Sequence, residues 1–226
     1  MKLAKQIIVL MLLVSLCLSL LACTDANVLG VRNPTTPLAV SDGSMISDSE
    51  TPVAYRNDYF KYTCELPDDW YVMNEDEIAQ MVGYTTDALG EGRTADILKE
   101  SMEKGENLID FYAVSGDFSQ TTNVVIGKAK TLELLISEQA MIDAGATLLT
   151  DGLTNMGVTN ISHRSERVEF LGKERVALYV QGDYQGGDLY EIIFIMRKGL
   201  YISNFAFTGS NQSAVANSIQ YFQPID

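Results

Sequence analysis

The sequence predicts a single α/β domain in which antiparallel pairing dominates, and three observations predict it. First, runs such as Tyr59–Leu66 alternate cleanly: Phe60, Tyr62, Cys64 and Leu66 share one face while Lys61, Thr63 and Glu65 share the other. A period of two is the mark of a half-buried strand. Second, the strand-like runs after residue 158 follow one another through short turns at Leu171-Gly172-Lys173, Gly186-Gly187 and Arg197-Lys198-Gly199. Strands joined this way are hairpins and pair antiparallel. Third, helical stripes interrupt the strands and must cover the sheet's faces.

The chain opens with Lys2 and Lys5, followed by an apolar run from Ile7 to Leu21 broken only by Ser15 and Ser19. A basic start, an apolar segment of this length and a small residue before the cut describe a secretory signal peptide over residues 1–22. A spanning helix needs roughly 20 apolar residues, so an uncleaved anchor is the weaker reading. Leu20-Leu21-Ala22-Cys23 resembles the lipobox of bacterial lipoproteins. That resemblance implies cleavage after Ala22 and acylation of Cys23, and hence an outward-facing, lipid-anchored protein, extracellular or periplasmic. Its partner is then the membrane, reached through the lipid.

Residues 23–53 comprise the acylated cysteine and a stretch rich in Ser, Thr, Asp, Pro and Gly. No periodicity runs through it, and such a segment buries too little apolar surface to offset its ordering entropy. It reads as a flexible spacer, with the globular domain over 54–226.

Within the domain, the Tyr59–Leu66 strand passes through Pro67-Asp68-Asp69 to a return strand beginning Trp70-Tyr71-Val72-Met73. Asn74 is a helix cap with Glu75, Asp76 and Glu77 in the first turn, where carboxylates complement the helix dipole. The helix runs through Val82. A second helix occupies 94–104. Strands over Leu108–Val114 and Asn123–Ala129 flank a polar loop, Ser115–Thr122. A longer helix over about 132–156 carries the stripe Ile142, Ala146, Leu149, Leu153 and Met156 and ends at Gly157. Four strands follow: Ile161–Phe170, Glu174–Tyr184, Tyr190–Met196 and Leu200–Phe207. The last two are apolar on both faces, as a centrally placed pair would be. A final helix over 211–222 turns Ala214, Val215, Ile219 and Phe222 inward.

Leu66-Pro67, followed by Asp68-Asp69-Trp70, resembles the opening motif of PsbP-like domains. The helix ending at Gly157, the Leu171-Gly172-Lys173 hairpin, the long meander and the terminal helix fit the same pattern over residues 55–223. The resemblance, which extends to LpqN-type lipoproteins, implies a single-domain α/β/α sandwich around a mainly antiparallel sheet. It supplies no catalytic set, and it implies a non-enzymatic binding or assembly module with an envelope protein as partner.

Charge narrows the functions. Of 16 basic and 30 acidic residues, the signal removes Lys2 and Lys5, so the mature chain carries 14 against 30 and a formal charge of −16. Such a surface repels nucleic acid and anionic lipid headgroups, so neither is an expected ligand, and the expected anchor is the acyl chain and not a basic patch. Cys17 leaves with the signal and Cys23 takes lipid, so Cys64 alone remains and no internal disulfide forms.

The chemistry-bearing residues are few. Cys64 alternates with core residues and reads as a packed thiol. His163 is the only histidine, which excludes a multi-histidine metal centre, and its exposure stays open. Asp68, Asp69, Glu75, Asp76, Glu77, Asp183, Asp188 and Glu191 read as caps and solvated faces, with weak calcium binding near Asp183–Asp188 left open. Gly182, Gly186 and Gly187 precede no helix, so they form turns and not a phosphate loop. No cofactor is implied. Tyr59, Tyr71, Tyr84, Tyr184 and Tyr190 lie at strand ends or loops, where tyrosine contributes to interfaces. The expected function is a non-catalytic binding or assembly module. The alternatives are an extracytoplasmic hydrolase and a small-ligand-binding lipoprotein.

Overall fold

A computed structural model describes residues 43–46, 54–74, 76–78, 80, 107–129 and 133–225. In chain order the strands are β1 (Gly43–Ile46), β2 (Ala54–Asn57), β3 (Tyr62–Glu65), β4 (Trp70–Val72), β5 (Asn107–Ser115) and β6 (Gln120–Lys128). Helix α1 (Glu138–Asn155) leads to β7 (Thr159–Phe170), β8 (Lys173–Tyr184), β9 (Gly187–Lys198) and β10 (Tyr201–Gly209). The chain closes with α2 (Gln212–Ser218), a 3-10 turn at Ile219–Tyr221 and β11 (Phe222–Pro224). The expected helix at 94–104 and Tyr84 lie outside the described residues. Asn74 does cap a helical turn: its Oδ1 accepts from the Glu77 amide at 3.0 Å, while Glu77 accepts from the Asn74 amide at 2.9 Å. This reciprocal pair satisfies two otherwise orphaned donors.

A seven-stranded sheet runs β4-β5-β6-β10-β9-β8-β7, and a four-stranded sheet runs β1-β2-β3-β11. Every pairing is antiparallel. The large sheet is buried between two layers. On one face α1 presents Ile142, Ala146, Leu149 and Leu153 to Val125, Leu178, Val180, Ile193 and Ile195. On the other, the small sheet and α2 bring Tyr62, Cys64, Leu66, Val215 and Phe222 against Val124, Phe194, Phe205 and Phe207. The double covering explains why β9 and β10 are apolar on both faces.

Four local expectations are corrected. Trp70–Val72 does not return alongside β3. The turn bonded from the Trp70 amide to the Pro67 carbonyl sends it to the large sheet, where Trp70 pairs with Ser115. Within the expected spacer, Gly43–Ile46 pairs with Ala54–Asn57, and four residues are too few for a period to register. Helix α1 starts at Glu138 and not near 132. Ser137 accepts from the Ala140 amide at 3.2 Å, and Arg197 holds the carbonyls of Glu133 and Ile136 at 2.7 and 2.9 Å. The last helix stops at Ser218, because Phe222 inserts edge-on against Phe205 and Phe207 at 5.5 and 5.4 Å and draws β11 onto β3.

One polar contact staples the sheets together. A bulge between Ile109 and Phe111 breaks the β5–β6 register. Asp110, at the bulge, accepts from Asn57 Nδ2 at 2.9 Å and from the Tyr62 hydroxyl at 3.1 Å. A bulge commonly re-aims a side chain in this way.

Candidate functional site

A cleft of about 110 Å³ opens between α2 and the outer strands of the large sheet. Its side-chain wall comes from Ser162, Arg164, Tyr179, Gln181, Tyr190 and Gln212. Pairing fixes this set. Arg164 lies opposite Tyr179 and Ser162 opposite Gln181 across β7–β8, and Gln181 lies opposite Tyr190 across β8–β9. Side chains on one face of a sheet recur at every second residue, so these rungs point the same way. Gly209 ends the Gln181–Tyr190 rung on β10 and lets α2 sit down on it. A Cβ there would fall 2.9 Å from both Val215 Cγ2 and the Ser119 carbonyl oxygen. Asn211 fixes the start of α2 by accepting from the Ala214 amide at 3.0 Å.

The Arg164 guanidinium lies 4.5 Å from the Tyr179 ring centroid, a cation–π contact, while its Nε donates to Glu166 at 2.7 Å. Burial, and then the Glu166 carboxylate, raise the Tyr179 pKa above its ordinary value, so the phenol stays a neutral donor. The cleft thus offers a partly paired cation, two phenols and two amides over a floor of Ile192 and Val215. Sites that enclose a whole small molecule run to roughly 300–1,000 Å³. This one has room for a protruding polar group of something larger.

Of the tyrosines expected at an interface, Tyr190 alone lines the cleft. Tyr59 packs edge-on against Tyr201 at 5.6 Å near the β9–β10 turn, and Tyr184 sits at the opposite end, at the β8–β9 turn. Tyr71, half exposed, donates to Glu77 at 2.6 Å. The structure does not gather these four into one patch, and Tyr84 lies outside the described residues. Arg164, Tyr179, Gln181 and Gln212 were not foreseen as site residues.

His163 is exposed on β7, on the rung of Val180 and Glu191, so its ring faces away from Arg164 and Ser162. Cys64 is fully buried, and desolvation pushes its thiol far above the ordinary range, which removes the reactive thiolate. Asp183 and Asp188 are cross-strand partners, and Asp183 accepts from Asn160. Among the described residues, no three His, Cys, Asp or Glu side chains are placed to hold a metal ion.

Glu191 overturns its reading as a solvated acid. It is 1% exposed on a strand with no open face, and its Oε1 accepts from the Thr208 hydroxyl at 3.3 Å. Desolvation raises its pKa well above the ordinary carboxylate value, because burial penalises the charged form.

No family model and no curated protein matches the chain. Among solved structures it is similar to cyanobacterial PsbP (CyanoP) from Synechocystis sp. PCC 6803. The identity is 10% over 87% of this chain and 98% of that one, with a TM-score of 0.44. It is also similar to LpqN of Mycobacterium tuberculosis, a protein described as involved in cell envelope biogenesis. There the identity is 9% over 86% of this chain and 100% of that one, with a TM-score of 0.42. Both are of the kinds that the Leu66–Trp70 motif resembles.

Proposed function

We propose that the chain is an extracytoplasmic lipoprotein, cleaved after Ala22 and acylated at Cys23, whose domain is a non-catalytic binding module for an envelope protein. The observation that carries the binding role is the cleft, in which Arg164 over Tyr179, with Gln181, Tyr190 and Gln212, forms a small hydrogen-bonding socket open to solvent. Its chemistry suits a carboxylate, amide or hydroxyl projecting from a partner's surface. The side chains supply no nucleophile–base pair. The histidine ring lies on the other face of the sheet, the thiol is sealed in the core, and Glu191 is buried on that other face. Acyl transfer needs nucleophile and base within hydrogen-bond reach.

The test is capture from detergent-solubilised envelope with the mature acylated protein as bait and brief crosslinking. One membrane or wall protein should be enriched, and its recovery should fall when Arg164 and Tyr179 are both replaced by Ala. Undiminished recovery with the double variant would refute the cleft as the binding site. An empty capture would move the weight to ligands or catalysis.

A further inference from the structure

The chain's strongly acidic average hides a local inversion. Lys198 ends β9, Gly199 and Leu200 form the turn, and Tyr201 begins β10 opposite Lys128 at the end of β6. The Tyr59 hydroxyl donates to the Lys198 carbonyl at 2.9 Å, and the Lys198 ammonium returns a bond to the Tyr59 carbonyl. Gly199, at φ +57°, allows this approach, since a Cβ there would lie 2.9 Å from the Tyr59 oxygen. Lys61 closes the same turn region through its amide bond to the Asn57 carbonyl. Arg197 binds the loop that carries Leu135.

Five of the nine lysines and arginines among the described residues therefore meet at this end: Arg56, Lys61, Lys128, Arg197 and Lys198. The other four are Arg164, Arg167, Lys173 and Arg175. Of the nearby acids among the described residues, Asp58 is paired to Arg56 at 2.7 Å, Asp110 keeps its charge while accepting from Asn57 and Tyr62, and Glu133 is buried, so the five cations outnumber these three acids. Two of the four large apolar side chains that stand exposed among the described residues are here as well, Leu200 at 54% and Leu135 at 79%.

The chain's route names the surface that this end meets. Gly43 pairs with Asn57, so the segment joining Cys23 to the domain enters at this same end. Gly43 lies twenty positions after Cys23, a reach of about 70 Å even at full extension. We propose that the β9–β10 turn docks on an anionic phospholipid surface, its basic residues meeting the phosphates and Leu200 and Leu135 entering the headgroup layer. Charges act over roughly 8 Å at physiological salt, so the acids elsewhere do not cancel the local attraction. Their repulsion from the membrane instead favours this end facing down. The choice of a membrane as occupant rests on the proposed anchoring at Cys23, while the attraction of this end for anionic lipid can be tested without the acyl group.

The test uses the mature chain from residue 23 with Cys23→Ser, which carries no acyl group. An environment-sensitive fluorophore is attached at Leu200→Cys or, at the opposite end, at Gln185→Cys; the buried Cys64 does not compete for the label. On vesicles of mixed phosphatidylglycerol and phosphatidylcholine the label at 200 should brighten and shift to the blue, while the label at 185 should not. Lys61→Gln should weaken partition about fivefold, the worth of one basic residue near an anionic surface. Lys61 and Leu200 are exposed, so an unchanged thermal transition separates lost binding from lost folding. No response at 200, an equal response at 185, or equal binding to pure phosphatidylcholine would overturn the proposal.

Discussion

Replacing Glu191 by Gln should abolish a pH dependence that the folded domain carries. Glu191 is 1% exposed, its Oε1 holds one long bond from Thr208, and its Oε2 has no partner among the described residues. Desolvation therefore raises its pKa well above the ordinary 4.5. In the unfolded chain the carboxyl ionises near that ordinary value. Above it, the folded chain still holds a proton that the unfolded chain has released, so stability falls as pH rises. Its contribution is fully present below the unfolded pKa and is eroded until the folded pKa is reached. The slope is about 1.4 kcal/mol per pH unit for one proton, for as long as the folded carboxyl stays protonated. Glutamine keeps the shape and an acceptor for Thr208 but does not titrate. Urea unfolding of both proteins from about pH 5 upward should show the variant gaining on the parent at about that slope until the folded carboxyl ionises. Because other titrating groups are common to both proteins, the difference isolates position 191. Parallel stability curves would refute the reasoning and mean that the folded site holds an ionised carboxylate.

Three further outcomes test the packing. Gly209→Ala forces a Cβ to within 2.9 Å of the Ser119 carbonyl oxygen and Val215, and should cost about 1–3 kcal/mol, read as a lower denaturation midpoint. Phe222→Ala opens a void among Tyr62, Phe205 and Phe207 and should cost about 3–5 kcal/mol by urea unfolding. Cys64, fully buried with its thiol pKa raised, should react with a thiol reagent only at the rate of unfolding; prompt labelling of the native domain would contradict its burial.

Much of the architecture was legible in residue patterns because it is written in periods. The Phe60–Leu66 alternation and the α1 stripe were both assigned to the faces they bury. The small sheet was not legible. Its strands β1 and β11 are four and three residues long, below any measurable period, and β11 is held by pairing with β3 from the far end of the sequence. Glu191 was misread because acids were grouped by type and not by strand. The apolar run Ile192–Ile195 already left no solvated face for its neighbour. The cleft was within reach of the sequence but was not read from it. A turn centred on Leu171-Gly172 sets Arg164 opposite Tyr179 by counting outward, and a turn at Gln185-Gly186 sets Gln181 opposite Tyr190. What no count supplies is the seating of α2 over those rungs, which depends on Gly209 lacking a side chain.

The two proposed surfaces sit on one strand, which makes their independence testable. Tyr190 lines the cleft and Lys198 ends β9 eight residues later, a separation of about 26 Å along an extended strand. With the β9–β10 turn against lipid, the cleft stands clear of the headgroups, open to a partner in the envelope. Sites this far apart, with no shared contacts, should respond additively to substitution. Arg164→Ala should therefore leave the fluorescence response at position 200 unchanged on anionic vesicles, and Lys61→Gln should leave capture of the envelope partner unchanged. If Lys61→Gln also abolished capture, the turn would itself contact the partner, and the cleft and the turn would act as one binding surface.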